Sequence, residues 1–167
     1  MPLAINFGQD AILTGDMRNP KACIYAVFPS CTGLRQASLE LRRQNLGLFR
    51  GDDLEITCTV RDESRLPVDI SNVERLRWWL ARDQFSEALI TKERQKGDVL
   101  FSGGIILMGT TNKFRFLINR PDTVDLTPGR YYWEVEIFTD NQRTITAAFG
   151  SFNLRPELIR ESNAPEE

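Results

Sequence analysis

Between Gly51 and Arg155, apolar and polar side chains alternate in short runs, each closed by turn-forming residues. Leu54-Glu55-Ile56-Thr57-Cys58-Thr59-Val60 shows the pattern most cleanly: every second residue is apolar, as a strand with one buried face requires. Residues 112–118 repeat it with Phe114, Phe116 and Ile118. Residues 131–138 place Tyr131, Trp133, Val135 and Ile137 inward and Tyr132, Glu134 and Glu136 outward, and Thr139-Asp140-Asn141-Gln142 turns the chain into residues 143–149. The two runs predict a hairpin. Residues 151–154 continue its second strand past Gly150, and Pro156 ends it. Strands this short and this regularly spaced predict an all-β fold, an immunoglobulin-like antiparallel β-sandwich over residues 38–155.

Other segments read less directly. In Glu74-Arg75-Leu76-Arg77-Trp78-Trp79-Leu80-Ala81-Arg82, a strand sets Leu76, Trp78 and Leu80 on one face, with Trp78 in the core and Trp79 on the outer side; the same residues also suit an amphipathic helix. Residues 38–49 fit either state as well, and their later half, with Leu46 and Leu48 alternating, reads as a first strand feeding the Arg50-Gly51-Asp52-Asp53 turn. Pro67 opens an extended piece through Ile70, and Gly103-Gly104 bends the chain before residues 105–108. Residues 88–91 and 99–101 flank the charged stretch 92–98, which predicts a hairpin turn there.

Residues 1–37, interrupted by Pro2, Gly8, Gly15, Pro20, Pro29 and Gly33, read as an extended amino-terminal arm or docking segment. Within it, residues 22–28 have strand propensity and suit either a neighbour's sheet edge or an additional strand of the same fold. Ile24, Tyr25, Val27 and Phe28 are the candidate assembly contacts. Residues 156–167 are acidic, with little to bury, and read as a flexible tail.

Composition narrows the function classes. A chain of 167 residues that is 41% apolar and 10% aromatic fills one core plus an appendage. Its 21 basic and 23 acidic residues nearly cancel, leaving a formal charge of −2, so no global field favours nucleic acid as a partner. No apolar run reaches the ~18 residues of a membrane span, and the first residues lack the basic start and apolar middle of a secretion signal. The expectation is a protein made in the cytoplasm with no membrane partner. Cys23, Cys31 and Cys58 lack metal-like spacing and read as free thiols, a local Cys23–Cys31 bridge being the alternative; Cys58 keeps phase with the core.

Candidate chemistry is sparse. The sequence has no histidine, which removes the commonest general base and metal ligand. It carries no phosphate-binding or dinucleotide fingerprint. Glu134 and Glu136, two apart on one strand face and roughly seven ångströms from each other, are the one pair with glycosidase-like spacing, and the solvated face of a sheet is their plainer explanation. Asp52, Asp53 and Asp62 are too few for a calcium loop and read as turn residues, and Arg50-Gly51-Asp52 spells an adhesion tripeptide where a strand already needs its turn. Arg42, Arg43, Arg50, Lys92, Arg94 and Lys96 read as charges protecting strand edges, or as contacts to an acidic neighbour. No catalytic residue, cofactor or metal is expected. Trp79 and Tyr132 are the candidate surface-binding aromatics, which leaves a carbohydrate-binding module as the alternative to an assembly protein.

Arg50-Gly51-Asp52-Asp53-Leu54-Glu55-Ile56, Leu66-Pro67-Val68-Asp69-Ile70-Ser71, Asp122-Thr123-Val124-Asp125-Leu126-Thr127-Pro128-Gly129-Arg130-Tyr131-Tyr132-Trp133-Glu134-Val135 and Phe149-Gly150-Ser151-Phe152-Asn153-Leu154 follow one another in an order that resembles the Ig-like domain of tailed-bacteriophage virion proteins, such as the amino-terminal domain of baseplate upper proteins. The resemblance covers residues 45–155. It implies a non-enzymatic component of the tail, baseplate, neck or capsid that sits on the virion as a homo-oligomer among other structural proteins. The chain is shorter than the baseplate proteins, which implies a compact adaptor or decoration protein.

Overall fold

The computed structural model describes residues 12–14, 21–28, 43–98 and 104–157. Among the described residues ten strands form two sheets: β1 (Ile12–Thr14), β2 (Lys21–Phe28), β3 (Leu46–Phe49), β4 (Leu54–Asp62), β5 (Arg75–Ala81), β6 (Ala88–Gln95), β7 (Ile105–Leu107), β8 (Lys113–Ile118), β9 (Gly129–Phe138) and β10 (Thr144–Arg155). A four-residue helix, α1 (Arg120–Thr123), joins β8 to β9. The first sheet runs β1-β2-β4-β8-β7 and the second β3-β10-β9-β5-β6. This is the all-β, immunoglobulin-like sandwich that the alternation predicts, with two parallel pairings added to the antiparallel frame, β2 on β4 and β3 on β10.

The core lies between the sheets. Trp78 packs its ring 5.0 Å from Phe116 and 6.5 Å from Phe152, bridging the layers, and Leu54, Ile56, Leu80, Trp133 and Val135 close around it. Residues 75–81 form a strand and no helix, because Leu76, Trp78 and Leu80 alternate onto that core. At the corner before β9, the Tyr131 hydroxyl donates to the Thr127 carbonyl at 2.5 Å, four residues upstream. A tyrosine bonded back to the backbone at this corner is a hallmark of immunoglobulin-like sandwiches. Gly51, at φ 85°, makes the turn into β4; its N–H donates to the buried Thr123 hydroxyl, and Asp53 accepts from Arg120 N. The Arg50-Gly51-Asp52-Asp53 segment therefore serves as a turn fastened to α1.

Two expectations are corrected. Residues 21–28 are no arm: β2 pairs with β4 along its whole length, and Ala22, Ile24 and Ala26 are core residues. Of the candidate assembly contacts, Ile24 and Val27 are buried in the chain's own core and Phe28 is partly buried against it; Tyr25 is the exposed one of the four. The cause is that strand alternation aims Ile24 at the facing sheet of its own domain. Second, the charged stretch 92–95 is strand and no turn, because β6 pairs through Gln95 with Arg75; the turn follows at Lys96-Gly97-Asp98. An edge strand with one free side tolerates such charges. Residues 1–11, 15–20, 29–42, 99–103 and 158–167 lie outside the described residues, and with them Cys31, Arg42 and most of the expected tail.

Gln44 fastens the two sheets together. Its N–H donates to Phe149 O in β10 at 2.8 Å, while its side chain takes both backbone groups of Tyr25 in β2: Nε2 donates to Tyr25 O at 2.7 Å, and Oε1 accepts from Tyr25 N at 2.9 Å. The close approach requires Gly150, since a Cβ there would land on the Gln44 carbonyl. Gly150→Ala is expected to lose more than about 3 kcal/mol of unfolding free energy, whereas Gly47→Ala, with Asn153 O at an ordinary 3.6 Å, changes it by about 0.5 kcal/mol. Ile24→Ala is expected to cost about 2–5 kcal/mol and Tyr25→Ala about 1 kcal/mol or less, a contrast that a separable arm would not produce. Urea denaturation of the four variants measures all of these differences.

Candidate functional site

The outer face of the second sheet carries the densest cluster of reactive and aromatic groups among the described residues. Register puts Trp79 opposite Glu134, Arg77 opposite Glu136, and Phe149 on the far side of Glu134. Phe149 faces outward because β10 slips register between Thr146 and Ala148, after which Ala148, Gly150, Phe152 and Leu154 face inward. Trp79 and Tyr132 therefore come together, as their outward phase predicts, with ring centroids 5.7 Å apart and planes crossing at 60°. They present an edge-to-face pair and no shared flat platform of the kind on which a sugar ring stacks.

Glu134 and Glu136 do not form a free carboxylate pair. Arg77 donates to Glu136 Oε2 through Nε at 2.7 Å and through Nη2. Glu134 Oε1 accepts the Tyr132 hydroxyl at 2.5 Å. Burial is the main force raising the Glu134 carboxyl above its ordinary range; the adjacent Glu136 adds to it, while the Tyr132 bond and Arg77 oppose it. Tyr132 is raised too, first by burial and then by the Glu134 acceptor, which favours the protonated phenol. The arrangement holds the Tyr132 hydroxyl proton against Glu134 within a half-buried aromatic layer, while Arg77 grips the second carboxylate, Glu136, through two guanidinium nitrogens.

At the end of this face where β9 begins, the surface dips into a cleft of about 480 Å³. Arg43, Arg82 and Arg130 stand around it, Tyr132, Phe149 and Gly150 form part of its wall, and Phe85 projects from the β5–β6 turn. Phe85 is 89% exposed, the most exposed large apolar side chain among the described residues. The Ser151 hydroxyl donates to Asn45 Oδ1 at 2.7 Å within the wall. Sequence reading overlooked Phe85, Arg82 and Arg130, since an isolated aromatic and two arginines beside turns carry no periodic signal; the alternation of Gly150, Phe152 and Leu154 was the clue that turns Phe149 outward.

Cys58 is buried in the core, its thiol pushed up by desolvation, and Cys23 is half-buried and unpaired. Among the described residues no three histidine, cysteine or acidic side chains gather as metal ligands, and no helix is long and apolar enough to cross a membrane.

No protein-family profile matches the chain, and no curated protein matches it in sequence. Solved structures with a similar fold include the fibronectin(III)-like modules of Clostridium thermocellum CbhA, at 9% identity and a TM-score of 0.36, covering 68% of this chain and 90% of the module. They include the N-terminal domain of phage TP901-1 ORF48, at 11% identity and a TM-score of 0.38, covering 81% of this chain and 98% of that domain. Both likenesses are distant, and the fold assignment rests on the strand pairing and the tyrosine corner.

The raised Glu134 carboxyl has a measurable consequence. Because the folded chain holds this proton more tightly than the unfolded chain does, the associated stabilisation is complete below the ordinary glutamate value of 4.5 and is lost as the pH climbs through the raised one. Glu134→Gln keeps a carbonyl to accept the Tyr132 hydroxyl and has no charge to bury. In urea titrations from pH ~4 to pH ~7 the variant is expected to lack this decline and to exceed the parent chain in midpoint at neutral pH.

Proposed function

We propose that the chain is a non-enzymatic structural component of a tailed-phage particle, a rigid module of the tail, baseplate, neck or capsid that acts by fitting against other virion proteins and against copies of itself. The observation that carries this reading is the outer face of the second sheet: Trp79, Tyr132, Phe149, Phe49 and Phe138 lie half-buried there, interleaved with arginines, on a sheet backed by a fully packed core. Aromatic and arginine side chains are the residue types that dominate protein–protein contact energy. The order of motifs resembling virion Ig-like domains supports the same reading. Within the structure these motifs have structural work: Gly51 and Asp53 bind α1, and Pro128-Gly129 delivers Tyr131 to its corner. Both carboxylates that could serve as acid and base are engaged, Glu136 by Arg77 and Glu134 by Tyr132, which weighs for a contact surface over a hydrolase.

The test is incorporation into the particle. Mass spectrometry of gradient-purified virions is expected to find the chain, and cryo-electron microscopy to show the second sheet's outer face against a neighbouring subunit. Phe85→Ser removes an exposed ring without touching the core and is expected to lower incorporation roughly tenfold or more while leaving the melting temperature unchanged. Particles lacking the chain, together with saturable glycan-array binding that Trp79→Ala abolishes, would replace this function with the carbohydrate-binding one.

A further inference from the structure

The cleft where β9 begins carries a positive charge that the chain as a whole does not. Its described lining holds three arginines and one aspartate, a net charge of +2, in a chain whose formal total is −2. Arg43 extends the line of β3 beside Phe149, Arg82 follows β5, and Arg130 stands at the start of β9. Among the described residues none of the three makes a salt bridge. Arg43 lies over the Phe149 ring at 5.7 Å, and its charge reaches the Tyr132 hydroxyl, where it opposes the larger upward push of burial. Asp83 is occupied within its own turn, where Oδ1 accepts from Phe85 N at 2.8 Å. Beside these cations stand the aromatic wall of Tyr132 and Phe149 and the fully presented ring of Phe85.

We propose that this cleft binds an acidic peptide segment of a neighbouring protein, about five extended residues whose carboxylates meet Arg43, Arg82 and Arg130 while an apolar side chain packs on Phe85. Two observations fix the class of occupant. The first is spacing. The strand order β3-β10-β9-β5 puts Arg43 and Arg82 on lines three strand spacings apart, ~14 Å, which exceeds one carboxylate or phosphate group and matches four steps of an extended chain, ~13 Å. Carboxylates on alternate residues of such a segment share one face, so its first, third and fifth positions span the site. The second is the company the cations keep. A polyphosphate has no apolar group to set against Phe85, whereas a peptide supplies carboxylates and apolar side chains together. Guanidinium meets carboxylate through two parallel donors and is weakly hydrated, so arginine suits a contact from which water is expelled. The inference rests on the assembly reading, in which a protein lies against this face, and goes further by naming what that partner presents.

Magnetic-resonance titration of the full chain at ~50 mM salt, with an end-blocked pentapeptide of alternating glutamate and leucine, tests this. Saturable binding is expected, at least about tenfold weaker when glutamine replaces every glutamate of the peptide. Arg82→Gln combined with Arg130→Gln is expected to weaken binding about tenfold or more. Arg61→Gln combined with Arg115→Gln removes two exposed arginines from the first sheet and is expected to change binding less than about twofold. Phe85→Ser is expected to cost about threefold or more with the leucine peptide and nothing with a counterpart that carries serine in place of leucine. All these side chains are exposed, so the variants are expected to keep the parent's melting temperature. Absence of saturable binding, or equal weakening by the two arginine pairs, would overturn the proposal. So would an oligogalacturonate that binds more tightly than the peptide through the same arginines, since that assigns the cleft to an acidic sugar. The assembly reading fails separately: a chain present in gradient-purified particles but indifferent to the peptide ends this inference alone, whereas a chain absent from particles removes the virion neighbour as the partner whatever the peptide does.

Discussion

Gln44 belongs to both sheets at once, and the sandwich closes along one edge because it does. Its backbone extends the parallel pairing of β3 on β10, and its side-chain amide reproduces the donor and acceptor of a strand residue for Tyr25 in the opposite layer. A sandwich ordinarily leaves each sheet edge to water or to a partner chain. Here one side-chain amide satisfies an exposed edge pair from across the core, with little room to spare, since the Gln44 carbonyl occupies the place where any residue but glycine at position 150 would put its Cβ. The contact adds to what already holds β2 in place, its parallel pairing with β4 over Lys21–Phe28 and the burial of Ile24 in the core.

The outer face of the second sheet rests on a fully packed core. Trp78 and Trp133 fill the space beneath it, and the Trp133 indole N–H donates to Ser151 O at 3.1 Å, pinning β9 to β10 under the cleft. Above that floor the two carboxylates are separated by partner: Glu136 bonds to Arg77, and Glu134, which accepts the Tyr132 hydroxyl, is driven toward its protonated form by burial. Lys92, reaching from β6 to Asp122 of α1 at 2.8 Å, ties this sheet to the helix that also receives Gly51 and Asp53. Segments distant in sequence thus converge on one short helix.

Strands buried on one face were legible in the sequence because each writes its burial as a period of two: β4, β5, β8 and β9 follow from Ile56, Trp78, Phe116 and Trp133 and their neighbours. β6 was half hidden, since an edge strand presents only Ile90 to the core and its charged residues mimic a turn. The strand character of residues 22–28 was legible, yet the identity of its partner was not, because alternation fixes which side chains are buried and says nothing about which sheet receives them. The parallel pairing of β2 with β4, which decides the matter, joins residues more than thirty positions apart, and the Gln44 bridge to Tyr25 joins residues nineteen apart, so neither leaves a local pattern. In the candidate site, the outward phase of Trp79 and Tyr132 could be read, while their crossing angle and the arrival of Phe149 depended on register and on a bulge.

The outer surface also shows how aromatic rings are kept presentable to water. Arg43 lies over Phe149, Arg155 over Phe49, Arg61 over Tyr25, and Arg75, at 3.9 Å, over Phe138. A guanidinium over a ring shields its apolar face, gains from the ring quadrupole, and keeps its outward donors free for water or for a carboxylate. Because guanidinium is more weakly hydrated than ammonium, drying such a lid costs less than drying a lysine would. Each such pair therefore covers apolar ring area while leaving guanidinium donors directed outward. At the cleft the same chemistry is left open: among the described residues Arg43, Arg82 and Arg130 make no salt bridge, and Arg43 rests on the Phe149 ring instead.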